Sequence, residues 1–97
     1  MKTKYTVEHA GQTFTRSSER PYTHTVVARY DREAYAKHLV LGHGWENREW
    51  AQRHSDSVAS KGFVNKGWCG RLDLAQKLAA QLGKSEWLKD ITIIEVK

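Results

Sequence analysis

The sequence predicts an α+β fold: an antiparallel sheet with helices packed on one face, in the order β-β-β-α-(α)-α-β. Three observations carry this. Residues 22–30 alternate Tyr22, His24, Val26, Ala28 and Tyr30 against Thr23, Thr25, Val27 and Arg29, the period-two pattern of a strand rich in β-branched and aromatic residues. Residues 71–82 space Leu74, Ala75, Leu78, Ala79 and Leu82 as one buried helical stripe, with Gly83 as its stop. Residues 91–96 are β-branched and suit a last strand added to the sheet.

The other elements follow from similar signals. Residues 4–9 alternate Tyr5, Val7 and His9 with Thr6 and Glu8; a turn at residues 10–12 then leads into a second strand over residues 12–15. These strands and that of residues 22–30 read as a three-stranded meander. Residues 16–21 are polar and aperiodic, a loop closed by Pro21, which pushes Arg20 towards an extended conformation. Asp31 suits a helix N-cap and Glu33 its positive end; Ala34, Tyr35, His38, Leu39 and Leu41 form the stripe of that helix, which Gly42 and Gly44 end. Residues 45–57 suggest a second helical piece with Trp45 and Ala51 inward. Residues 61–70 hold three glycines and read as a loop, and residues 85–90 as a short linker.

A length of 97 residues suits a single domain, residues 1–97, with a modest core. Ten Trp, Tyr and Phe residues exclude a disordered tail. The lone Cys69 cannot form an internal disulfide, which points to a reducing, cytoplasmic setting. The first residues lack the apolar stretch of a signal peptide, and the longest apolar run, residues 39–41, is far short of a membrane span. A formal net charge of +5 favours an acidic partner. In residues 1–30, Lys2, Lys4, Arg16, Arg20 and Arg29 face Glu8 and Glu19 alone, and residues 61–97 are also basic. A fold joining the two ends would share one positive face.

Five constellations could carry chemistry. The first spans residues 15–24, where Arg16, Ser17, Arg20, Tyr22 and His24 lie close together. Guanidinium forks suit phosphate oxygens, hydroxyls add donors, and His24 could act as a base; a polar loop with His24 satisfied in the sheet is the bland alternative. The second is the aromatic-basic stretch, in which Lys61, Lys66 and Arg71 alternate with Phe63 and Trp68 among glycines. Cations beside a ring that can stack a base are what single-strand binding needs; core anchoring by Phe63 and Trp68 is the alternative. Third, the histidines fall in no ligand-pair spacing and no second cysteine completes a zinc set, so neither metal nor cofactor is expected. Fourth, Cys69 precedes a helix whose dipole could lower its thiol pKa, although a small packed residue is the plainer reading. Fifth, Trp45 and Trp50, five apart, would put one ring in the core and one at an edge, the latter an interface anchor.

Residues 14–27, Phe-Thr-Arg-Ser-Ser-Glu-Arg-Pro-Tyr-Thr-His-Thr-Val-Val, and residues 67–75, Gly-Trp-Cys-Gly-Arg-Leu-Asp-Leu-Ala, resemble runs in small bacteriophage and prophage proteins that have no assigned activity. The resemblance covers about a quarter of the chain by matched residues. It implies a mobile-element origin, a place in the cytoplasm of a host bacterial cell and an accessory role, such as the anti-defence role of anti-CRISPR proteins. Many of those are acidic DNA mimics, which this basic chain is not.

The expectation is therefore a binding protein rather than an enzyme. Its basic surface would engage nucleic acid or a nucleic-acid-bound host complex through Arg16, Arg20, Lys61, Lys66, Trp68 and Arg71. Two alternatives stay open. One is an inhibitor that occludes a host defence effector by protein-protein contact. The other is a small phosphate- or nucleotide-binding protein or enzyme centred on Arg16, Arg20 and His24, with Ser17 and Tyr22 beside them.

Overall fold

A computed structural model describes residues 2–96. It contains β1 (Thr3–His9), β2 (Gln12–Ser18), β3 (His24–Tyr30), α1 (Arg32–His43), a 3-10 turn (Trp45–Asn47), α2 (Arg48–Ser60), β4 (Phe63–Cys69), α3 (Leu72–Leu82) and β5 (Leu88–Glu95). The fold is α+β, as the residue patterns predict.

The strands form two sheets rather than one meander. β1 and β2 make a hairpin by themselves, while β3 lies at the centre of a three-stranded antiparallel sheet in the order β4-β3-β5. The hairpin turns at Ala10 and Gly11, both at positive φ (51° and 79°), the requirement of a two-residue turn whose twist matches its strands. Thr15–Arg16 pairing with Thr6–Tyr5 extends β2 to Ser18, well into the stretch expected to be a loop.

The hairpin lies across one face of the sheet. Tyr5 meets Trp68 and His9 meets Phe63, with Val7 buried between them, so β1 applies its Tyr5-Val7-His9 face. Gln12 fastens the turn end: its side-chain amide donates to the carbonyls of Lys61 (3.0 Å) and Phe63 (2.9 Å) and accepts from the Phe63 N–H (2.7 Å). At the open end Tyr5 Oη donates to the Arg20 carbonyl at 3.1 Å. Thr25, fully buried in the sheet, donates to the Gly67 carbonyl and accepts from Asn65 Nδ2, both at 2.7 Å, so its polarity is satisfied.

The opposite face carries α3. A side chain at Gly67 would bring its Cβ within 2.8 Å of Leu78 Cδ2, so this glycine lets α3 approach β4 closely. That explains the correction at residues 61–70: the glycines that suggested a loop include one that a strand needs under a crossing helix. β5 likewise starts at Leu88, inside the expected linker.

α1 and α2 form a helical hairpin off the Tyr30 end of β3. Asp31 caps α1 by accepting from the Ala34 N–H at 3.1 Å. Buried Ser55 donates to the Arg32 carbonyl and Arg32 pairs with Asp56 at 3.2 Å, tying α2 to the start of α1. His38 stacks on Trp87 with centroids 3.9 Å apart and planes at 19°. The projecting hairpin makes the chain elongated, 49 × 23 × 23 Å, with a radius of gyration of 15.3 Å against the roughly 12–13 Å of a compact domain this size. Its buried apolar residues are small, chiefly Val and Ala, so the core is thin. Ala51 is buried as expected, but Trp45 is 69% exposed and Trp50 41%, and Leu41 on the α1 stripe is 81% exposed. Gly44, at φ 99°, redirects the chain before Trp45, and the Arg48 guanidinium covers the outward ring at 5.0 Å. Neither tryptophan is in the core.

Candidate nucleic-acid interface

At the open end of the β1–β2 hairpin three aromatic rings meet. Tyr5 and Tyr22 lie 5.3 Å apart edge-to-face (69°), Tyr22 and Trp68 6.0 Å at 44°, and Tyr5 and Trp68 6.4 Å at 45°. All three are half-buried. Tyr5 comes from β1, Tyr22 from the segment leading into β3, and Trp68 from β4, so the cluster exists only because the hairpin folds over the sheet.

Two arginines adjoin the rings, Arg16 by its side chain and Arg20 by its backbone. Arg16 is the cross-strand partner of Tyr5 and shares its sheet-facing side of the hairpin, yet at the open end it extends past the sheet and stays exposed. Its guanidinium sits 5.5 Å from the Tyr22 centroid, a cation–π contact. Arg20 follows in a tight turn: its N–H donates to Ser18 Oγ at 3.0 Å and its carbonyl accepts from Tyr5 Oη. Among the described residues neither arginine pairs with a carboxylate. Arg71 is close by, since a Cβ on its neighbour Gly70 would stand 3.1 Å from the Pro21 carbonyl oxygen. It binds Asp73 at 3.2 Å and is therefore partly neutralised.

The structure thus places Arg16, Arg20, Trp68 and Arg71 together, and Lys61 and Lys66 elsewhere. Lys61 sits beside Gln12 at the turn end of the hairpin, seven residues and roughly 20 Å along β4 from Trp68. Lys66 occupies the bulge where the β3–β4 register shifts. The bulge sends its side chain to the helix side of the sheet, where Nζ donates to Tyr30 Oη at 2.5 Å and lies 4.4 Å from that ring's centroid. The single positive face expected of all six residues is corrected to a smaller junction at one end.

The Arg16–Arg20–His24 grouping also divides. Ser17 pairs with Lys4 on the outward side of the hairpin. His24 lies between Cys69 and Glu95, and strand alternation puts it with Val26 on the α3 side. Its Nδ1 shares a 2.8 Å hydrogen bond with Thr23 Oγ1. Tyr22 alone of the three joins the arginines.

Burial pushes the Cys69 thiol up rather than down, against the dipole-lowered alternative. Alkylation of Cys69 by a small haloacetamide is therefore expected to rise with pH along a curve whose midpoint lies above that of a free cysteine thiol. A mass-spectrometric rate series against pH checks this; a midpoint below the free value would restore an activated thiolate. Burial, reinforced by neighbouring Tyr30, raises Tyr35 as well. Among the described residues no group of three His, Cys, Asp or Glu side chains gathers to hold a metal ion. No described helix is long and apolar enough to cross a membrane.

Sequence reasoning missed Tyr5. The alternation of residues 4–9 put Tyr5, Val7 and His9 on one face, but nothing in the sequence said that this face would close over Trp68. No protein-family model, curated protein or solved structure matches the chain.

Proposed function

We propose that this chain is a non-enzymatic binding protein of the phage and prophage accessory type. Its basic aromatic junction engages nucleic acid, free or held in a host complex. One observation carries the reading: Arg16, its guanidinium 5.5 Å from the Tyr22 ring, and Arg20, its backbone carbonyl bound by Tyr5 Oη, both unpaired with any described carboxylate, adjoin three half-buried aromatic rings. Exposed cations hold phosphates at a smaller desolvation cost than buried ones, and rings beside them hold bases or sugars. The Cys69 thiol, pushed up by burial, and His24, its cross-strand neighbour, lie on the α3 face of the sheet and not among the rings.

Affinity for an oligonucleotide, measured by fluorescence anisotropy at several salt concentrations, tests the reading. Two phosphate contacts on a single strand give a slope of log K against log salt of about −1.4, a loss of about sevenfold between 50 and 200 mM. No binding at low salt, or affinity indifferent to salt, would overturn it.

A second reading, an inhibitor that occludes a host effector, draws on the exposed Leu41, Trp45 and Trp50 near the end of the helical hairpin. There the discriminating result is a bacterial protein retained by the wild-type chain and released by Trp45→Ser.

A further inference from the structure

We infer that the junction takes an unpaired base of single-stranded nucleic acid, not the outside of a duplex, with one nucleotide on the rings and its flanking phosphates on Arg16 and Arg20. The inference rests on the nucleic-acid reading above and narrows its ligand.

The rings set the class. Their centroids lie within 6.4 Å of one another, so the half-buried cluster spans about the width of a single base and is no track for several. A base gives its π-face to such a ledge only when it is unpaired and unstacked. A duplex shows base edges in its grooves and sugar-phosphate outside. Against that surface the half-buried rings would lose water without gaining a stacking partner.

The placement of charge agrees. A two-stranded ribbon can enter a major groove, but the tip of this hairpin is Glu8, His9, Ala10 and Gly11, without a lysine or arginine. Arg16 and Arg20, without an ion-pair partner among the described residues, stand at its other, open end, next to the rings. Two cations are also few for a duplex binder, which draws its affinity from many phosphates. They suffice for the two phosphates beside one seated nucleotide. The backbone of Arg20 is fixed by Ser18 and Tyr5, and Arg16 is steadied over Tyr22, so neither arginine is on a free-swinging loop.

Three labelled ligands test this with the full wild-type chain at low salt: an oligothymidylate, a duplex of equal length, and an abasic deoxyribose-phosphate strand that keeps the charges and lacks the bases. The expected result is binding to oligothymidylate about tenfold tighter than to either of the others, the loss of one stacked base. Duplex bound as tightly as single strand, or abasic strand bound as tightly as oligothymidylate, overturns the inference and leaves the nucleic-acid reading standing. Failure of all three to bind overturns both. Because the abasic strand changes the ligand rather than the protein, misfolding of a Trp68 variant cannot mimic the outcome.

Discussion

Replacing Gln12 with leucine lowers the unfolding free energy by about 2 kcal/mol, and with it the midpoint of thermal unfolding by about 10 °C. The side chain is nearly the same size, so packing is conserved while three hydrogen bonds disappear: those to the carbonyls of Lys61 and Phe63 and that from the Phe63 N–H. Leucine leaves the Phe63 N–H and carbonyl facing apolar carbon at a partly buried site. Gln12 is the polar side chain that fastens the turn end of the hairpin, so β1 and β2 are expected to exchange amide protons faster than β3 in this variant. Gly62→Ala is a companion test. Gly62 has φ 78°, and a Cβ there would fall 2.6 Å from Gln12 Oε1, so alanine both strains the backbone and expels the same amide. The two substitutions are expected to be less than additive when combined, because they break the same hydrogen bonds. Circular dichroism melts of the two single variants and the double variant check this; full additivity would show that the amide is not the shared element.

The double variant Arg16→Ser, Arg20→Ser is expected to lose about 50-fold in affinity for single-stranded oligonucleotide at low salt, from two charge-assisted hydrogen bonds discounted for exposure. Its salt slope should flatten towards zero, since each phosphate contact contributes separately to it. Stability should change little: both side chains are exposed, and the cation–π interaction between Arg16 and Tyr22 is worth about 1 kcal/mol at most at an exposed site. Lys61→Ser is the matched control. It removes one positive charge, as either arginine substitution does alone, from the turn end of the β1–β2 hairpin and is expected to leave affinity within about twofold, the effect of a distant screened charge. Equal losses from Lys61→Ser and from either arginine would mean that net charge alone, and no particular face, attracts the ligand.

Much of the fold was legible because it is written in local periodicity. β3 and α3 followed from alternation and from the helical spacing of Leu74 to Leu82, although Leu74, expected inside, is 41% exposed and only Ala75 of that stripe is fully buried; Asp31 announced the start of α1 by its capping chemistry. What was not legible depended on contacts between elements distant in sequence. The period-two pattern of β1 fixes which side chains share a face, but not whether that face pairs into the main sheet or folds across it, and here it folds across. β4 was hidden because Gly62, Gly67 and Gly70 each look like a loop residue, whereas Gly67 serves the close approach of α3. The candidate site divided for the same kind of reason. Lys66 and Trp68 are two residues apart and would share a face in a regular strand, but the bulge between Val26 and Val27 lets Lys66 cross to Tyr30. Arg16 and Arg20 did meet Trp68, through a tyrosine that charge counting had no reason to select.

The central claim is that the open end of the β1–β2 hairpin is the binding face. It is tested most directly by amide chemical-shift mapping of the uniformly labelled protein as oligothymidylate is added at low salt. The account predicts that the largest shifts fall on Tyr5, Arg16, Arg20, Tyr22, Trp68 and Gly70, with the Trp68 indole N–H among them. Shifts concentrated instead on Lys37, Leu41, Trp45 and Trp50, or spread evenly over every exposed lysine and arginine, would contradict it.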